Sequence, residues 1–203
     1  MARRSVEVER RRQILEATCA AVADGGLRNL RIADVARRAG LSNGSVHYYF
    51  DSKQALLRAA FEFNFRASLE RRRWIAETDT DPVSRLRLVV ESYLPQSEDT
   101  VEAWLVWVEL WVSALREPTL RTLNDEVYGE WRGFVADVVR QGQDQGLLRP
   151  GDPYRFTDEL IGMLDGLAIQ VLIGSGHMTV GRMRDTCMAL IDAVADTRVV
   201  PHA

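Results

Sequence analysis

Asn43, Ser45, His47, Tyr48, Tyr49 and Lys53 fall in one short stretch, LSNGSVHYYFDSK, from Leu41 to Lys53. Their chemistry is that of recognition, not of bond making. An asparagine amide can pair with the edge of adenine, and a serine hydroxyl with either kind of base edge. Tyrosine hydroxyls and a lysine ammonium are good phosphate partners. Gly44 carries no side chain and allows close approach to a groove. Lys53 is the only lysine of the chain. The competing reading of the same residues is a plain helical hairpin with exposed aromatic rings.

The elements around these residues must hold them at one surface. IADVARRAG (Ile32–Gly40) predicts a short helix stopped by Gly40, and SNGSVHYYF (Ser42–Phe50) a second. Helix, glycine-containing turn and helix is the helix-turn-helix pattern. Val35, Ala36 and Ala39 make an apolar seam, and Leu41 and Val46 are spaced to plug the gap between the helices. Asn43, Gly44, Ser45, His47, Tyr48 and Tyr49 remain outward, where a recognition helix presents its N-terminal residues to base edges. Lys53 stands at the start of the next helix, whose free backbone N–H groups also favour phosphate. Upstream, QILEATCAAVADGG puts Ile14, Thr18, Ala21 and Val22 on one helical face and stops at Gly25-Gly26.

The rest of the chain is punctuated in the same way. Asp51 or Ser52 caps a long segment ending near Glu77, and Asp81-Pro82 starts another helix. Further helices are expected over about 99–116, 119–145, 153–173 and 179–197. No strand alternation, repeat or low-complexity tract interrupts them. The fold class is all-α, with about nine helices.

Bulk numbers narrow the function. The formal charge is −3 over 203 residues, but it is unevenly spread. Residues 1–73 carry 15 Lys and Arg against 8 Asp and Glu, and residues 74–203 carry 11 against 21. A basic part facing a polyanion, joined to something different, would give that asymmetry. Cys19 and Cys187 are far apart with no metal-ligand spacing, so a reducing, cytoplasmic compartment and buried roles are expected. No secretory signal, membrane-spanning run, metal cluster, cofactor motif or catalytic motif is seen. His47, His177 and His202 have no convincing nucleophile partner, so an enzyme is not expected.

The stretch strongly resembles the TetR family of bacterial transcriptional regulators. The resemblance rests on Val35-Ala36, Ala39-Gly40-Leu41-Ser42, Gly44-Ser45-Val46, Tyr49-Phe50, Ser52-Lys53 and Leu56-Leu57, within about residues 8–68. It implies an N-terminal three-helix DNA-binding domain over 8–68, with its helix-turn-helix at about 31–50. A larger helical domain over 69–203 would bind a ligand and form a homodimer. Carried onto this sequence, the base-contact candidates are Asn43, Gly44, Ser45 and His47, and the phosphate candidates are Tyr48, Tyr49 and Lys53. The family usually has tyrosine at His47, and threonine at Arg31, where it caps the second helix and touches phosphate. Arg31 can still reach phosphate but cannot cap in the same way, so Asn29 is expected to substitute. Arg3, Arg4 and Arg10 to Arg12 are candidates for electrostatic attraction or a minor-groove arm.

In the second domain, AWLVWVELWVSALREPTL resembles the Trp-rich helix of the BetI-like subfamily of choline-responsive repressors. Trp104, Trp107 and Trp111 lie on one helical face. Two readings stay open: the stripe is core, or part of it lines a pocket for an organic cation, since indole faces bind such cations. Tyr93, Tyr128, Trp131, Phe134, Met163 and Leu167 are further lining candidates, and Glu102 and Glu109 could add charge complementarity. A lipophilic effector is the alternative to a cation. The final two helices read as a dimer interface through Leu160, Gly162, Gly166, Met183, Cys187, Leu190, Ile191 and Val194, or as the monomer's own core. The implied function is a dimeric repressor released from a palindromic double-stranded DNA operator by a small-molecule effector, with no membrane involvement. A ligand-insensitive architectural or activating DNA-binding protein is the alternative.

Overall fold

The computed structural model describes the backbone of residues 2–195 and their side chains except those of 2–5, 71 and 73. Among the described residues there are nine α-helices and no strand. They are α1 (Ala2–Asn29), α2 (Ile32–Arg38), α3 (Asn43–Tyr49), α4 (Lys53–Glu77), α5 (Pro82–Tyr93), α6 (Glu98–Ala114), α7 (Pro118–Asp144), α8 (Pro153–Leu172) and α9 (Val180–Val194). No helix among them is long and apolar enough to cross a membrane.

Helix ends follow short-range chemistry. Asp81 accepts from the Ser84 amide, Asp152 from that of Tyr154 and Thr179 from that of Arg182, each filling a donor that a helix start leaves open. Ser52, of the two candidates at the head of α4, caps it by accepting from the Ala55 amide at 3.0 Å. In α1 the helical path breaks at Gly26, where φ is 70° and ψ is 165°, as the paired glycines predict.

Two compact units separate. One comprises the chain up to Ser68 together with Glu102–Val127; the other comprises Leu69–Val101 together with the chain from Tyr128 onward. The first unit thus takes in most of α6 and the start of α7 as well as the N-terminal segment. The physical reason is a set of contacts the sequence does not display. Asn64 Nδ2 donates to the Ala103 carbonyl at 3.2 Å, Phe65 meets Trp107 edge-on at 6.1 Å, and Arg58 pairs with Glu126 at 3.5 Å.

The first unit's core is made by Ile14, Val22, Val35, Val46, Leu56 and Phe61, all buried. These are the apolar positions of α1 to α4, so packing fixes the helix-turn-helix against α1 and α4. The second unit's core includes Leu86, Val89, Val135, Leu160, Ile161, Leu164, Met183, Cys187 and Ile191. Four dimer-interface candidates therefore need correction. Leu160, Met183, Cys187 and Ile191 are fully buried within the single chain and are not available to a partner. Leu190 and Val194 are half-buried, and Gly162 and Gly166 are exposed with open space above them.

Candidate nucleic-acid interface and aromatic clusters

The turn between α2 and α3 is built from local hydrogen bonds. Leu41 N donates to the Ala36 carbonyl at 2.8 Å and Gly40 N to that of Arg37 at 3.2 Å. This double closure requires a left-handed residue at its corner, and Gly40 has φ 67°. Ser42 then caps α3, its hydroxyl accepting from the Ser45 amide at 3.1 Å. The same hydroxyl lies 2.9 Å from Ser45 Oγ, which presets the rotamer of a base-contact candidate. Val46, facing the core, anchors the seven-residue helix.

The opposite face of α3 is open. Asn43, Gly44, His47 and Tyr48 are exposed, with Ser45 and Tyr49 half-buried. Tyr48 is 72% exposed, a large ring left mostly open to solvent. It meets Tyr49 edge-on at 5.1 Å, so the two rings form one ledge. The far end of α3 is held by a residue that the sequence marked only as part of a basic run. Arg11 places its guanidinium 4.4 Å from the centre of the Phe50 ring and donates to the Tyr49 carbonyl at 3.3 Å.

The other arginines of that run have their own partners on α1. Arg10 donates to Gln13, and Arg12 pairs with Glu9 and Glu16. The side chains of Arg3 and Arg4 lie outside the described residues. Arg31 is exposed at the head of α2 and makes no side-chain cap. Asn29 does not replace it. Its amide turns back to the Gly25 carbonyl at 2.9 Å, because the break at Gly26 leaves that acceptor nearby.

Lys53 Nζ donates to the Leu30 carbonyl at 2.7 Å. One of its three N–H bonds therefore ties α4 to the turn before α2, and the remaining donors can serve a phosphate. The same turn is held from α6 by Glu109, whose Oε2 accepts from the Leu27 amide at 3.1 Å. Glu109 thus acts on the backbone ahead of the helix-turn-helix rather than as a charge beside the tryptophans.

The aromatic candidates sort into two clusters, one in each unit. In the first, Trp104 is buried and Trp107 and Trp111 half-buried. Trp111 lies 6.2 Å from Trp104 and 6.0 Å from Trp107. The rings of the stripe contact one another, and Trp107 also meets Phe65. In the second, Tyr93 of α5 stacks on Trp131 of α7 at 5.0 Å, and Trp131 on Phe134 at 5.4 Å. Arg72 of α4 lies over this stack, its guanidinium 4.3 Å from the Tyr93 ring centre and 5.5 Å from that of Trp131. Ser92 anchors Arg72, accepting from Nε through its hydroxyl at 2.9 Å and from Nη2 through its carbonyl at 3.2 Å.

Asp165 of α8 belongs to the same neighbourhood. Burial pushes its carboxyl up to about 7, only partly countered by the Tyr128 hydroxyl, 3.5 Å away. Burial likewise raises Tyr128 to about 12 and Tyr93 further, with Asp165 adding to both shifts. The buried Trp131 Nε1 has no hydrogen-bond partner among the described residues. Met163 and Leu167 sit half-buried on α8 beside Asp165 in sequence. Arg72 and Asp165 were missed by sequence reasoning, and Arg11 was marked only as part of a basic run, not for its hold on α3. Each acts on residues from other helices, and no local spacing marks it. Ser42 alone had a local signal, a serine directly ahead of a short helix.

Two family models match the chain. Residues 14–60 match the family model described as bacterial regulatory proteins, tetR family, and residues 82–196 match the C-terminal BetI-type transcriptional repressor model. The HTH-type transcriptional regulator BetI of Yersinia pestis (strain Pestoides F) is 34% identical over 174 residues, covering 83% of each chain. That of Pectobacterium carotovorum is 35% identical over 117 residues, 57% of this chain, and the match spans only 60% of that relative's length. Among solved structures, a transcriptional regulator from Saccharomonospora viridis in complex with choline superposes with a TM-score of 0.88. It is 33% identical, covering 93% of this chain and 99% of that one. A TetR-family regulator from a Rhodococcus species gives a TM-score of 0.83 at 29% identity, covering 93% of this chain and all of the other.

Proposed function

The chain belongs to the TetR family of bacterial transcriptional regulators, with a C-terminal region of the BetI type, and from that premise we propose a cytoplasmic, dimeric repressor that leaves its operator when an organic cation binds. The observation that carries the DNA-binding half is the open face of α3. A helix anchored by Val46 and capped by Ser42 presents Asn43, Gly44, Ser45, His47 and Tyr48 outward. Those groups suit base edges and phosphates rather than a protein core. Two copies related by a two-fold axis would read a palindrome with half-sites about 34–36 Å apart. The exposed glycine face of α8, at Gly162 and Gly166, is the candidate for that contact.

The effector half rests on the second cluster. The Tyr93–Trp131–Phe134 stack offers π-faces to a cation. Asp165 supplies a carboxylate nearby, and the Trp131 N–H, unpartnered among the described residues, would donate to an oxygen of the effector. A quaternary ammonium alcohol combines these features, and choline is the molecule bound to the Saccharomonospora viridis relative. The Trp104–Trp107–Trp111 stripe is read as packing that supports α6.

The test combines selection of binding sites from random DNA with release by choline. A palindromic motif whose complex dissociates on adding choline supports the reading. A chain that selects no motif overturns the DNA-binding assignment. A motif whose complex ignores choline but dissociates with a neutral lipophilic compound overturns the cation.

A further inference from the structure

The aromatic stack proposed as the effector seat already holds a cation, and it belongs to the chain. The Arg72 guanidinium lies 4.3 Å from the Tyr93 ring centre and 5.5 Å from that of Trp131. It is held there by the Ser92 hydroxyl at 2.9 Å and the Ser92 carbonyl at 3.2 Å. A planar guanidinium over stacked rings uses the same quadrupole attraction that an ammonium ligand would use. We infer that Arg72 is an internal competitor of the effector: it occupies the aromatic face in the effector-free chain, and an organic cation binds by displacing it. The inference rests on the reading of Tyr93, Trp131 and Phe134 as the effector seat.

Two physical consequences follow from this placement. First, the seat is selective against weakly bound cations. Two positive charges cannot share one ring face in a partly buried site without strong mutual repulsion. An entering cation must therefore outmatch a tethered one that also has two hydrogen bonds to Ser92. Second, displacement carries a structural message. Arg72 ties α4 to the end of α5 through Ser92, and α4 is the continuous helix that begins with Lys53. An effector that evicts Arg72 releases that tie, so binding differs in energy between a clamped and an unclamped α4. Such a differential is what a ligand needs to shift a conformational equilibrium.

The experiment measures the affinity of choline, and of its neutral tert-butyl analogue, by calorimetry with the full-length protein. Arg72→Met keeps the stem and removes the charge. It is expected to bind choline about tenfold more tightly than the unsubstituted chain, with a much smaller gain for the neutral analogue. Ser92→Ala keeps the charge but loosens its anchor, and should shift choline affinity in the same direction by a smaller factor. It covers the case in which Arg72→Met does not fold. Equal or weaker choline binding by both variants overturns the inference, and so does an equal gain for the two ligands, which would make Arg72 a steric filler. Trp131→Leu separates this from the underlying reading. If choline binds the unsubstituted chain and Trp131→Leu with the same affinity, the seat itself is misplaced. If Trp131→Leu loses choline while Arg72→Met gains nothing, only the competitor role fails.

Discussion

Glu109 Oε2 accepts a hydrogen bond from the Leu27 amide at 3.1 Å, and its other carboxylate oxygen stands 3.0 Å from where a Cβ on Gly26 would lie. One side chain of α6 therefore closes over the turn at which α1 ends and the helix-turn-helix begins. The φ of 70° at position 26 requires glycine, and a Cβ there would also press on the carboxylate above it.

This contact predicts graded losses. Glu109→Ala leaves a part-buried amide without its acceptor and should cost about 1–2 kcal/mol of stability, with Glu109→Gln costing less. Gly26→Ala should cost about 1–3 kcal/mol through backbone strain, because φ 70° with ψ 165° is a conformation that essentially only glycine adopts. Because both residues act on one turn, the double variant should cost less than the two singles added together. Chemical denaturation of the four proteins measures it. Fully additive losses would show that the two residues do not act on the same turn.

The open face of α3 predicts a separation between folding and DNA binding. Tyr48→Ala and His47→Ala remove exposed groups, so thermal stability should hardly change. His47→Ala and Ser45→Ala should alter the selected motif, with losses of roughly 1–3 kcal/mol where each makes a good base contact. Ser42→Ala differs in kind. It removes the α3 cap and should cost about 1 kcal/mol of stability. Lys53→Ala should weaken binding to all sequences and lower the salt slope by about one unit. It should also destabilise the chain, because Lys53 holds the Leu30 carbonyl. Binding isotherms at several salt concentrations, set beside melting curves, distinguish these cases.

How much of this was legible in the sequence depended on how far each interaction reaches along the chain. Gly40, Ser52 and Asp81 act within five residues of themselves, and their roles in the turn and at helix starts were readable, whereas the caps at Ser42 and Asp152 were not read although they are as local. The helix-turn-helix face followed, since apolar spacing leaves only one side of α3 free. The spacing of Trp104, Trp107 and Trp111 placed them on one side of α6, but spacing does not say what that side meets. The Arg72–Tyr93–Trp131 group joins α4, α5 and α7, and no local pattern announces it. Leu160, Cys187 and Ile191 show the same gap. An apolar stripe reads alike whether it is covered by the chain's own helices or by a second copy.

That correction makes the proposed dimer testable. Cys187 is fully buried within the chain, so Cys187→Ser should destabilise the fold by about 1–3 kcal/mol and leave the association state of the folded protein unchanged. Gly166 is exposed with nothing within 4 Å, so Gly166→Leu should fold normally and yet weaken the dimer if a partner helix crosses there. Sedimentation of both variants gives opposite patterns in the two cases. A normal dimer from Gly166→Leu would move the crossing elsewhere on α8 and α9.

The raised carboxyl of Asp165 gives the last prediction, a pH dependence with a definite sign. Its value of about 7 is set by burial, against about 3.9 for an unfolded aspartate. The fold therefore favours the protonated form. The stability this confers is fully present below about pH 4 and is lost as pH rises to about 7, beyond which the curve is flat. Asp165→Asn is neutral throughout, so its advantage over the unsubstituted chain should open across that same window. The groups around Asp165 do not add a competing step near neutrality. Tyr128 faces it from α7 and Tyr93 from α5, and burial pushes both phenols upward. Arg72, which acts on Tyr93, and Arg132, which acts on Tyr128, stay charged. Asp158, beside Tyr128, is held below the usual carboxylate range by Arg132. A bound organic cation reverses the preference at Asp165, because it stabilises the carboxylate. Choline affinity should therefore rise as pH passes from about 6 to about 8, and that rise should vanish in Asp165→Asn. Calorimetric titrations across this range decide it: a pH-independent affinity in the unsubstituted chain would place Asp165 outside the effector's reach.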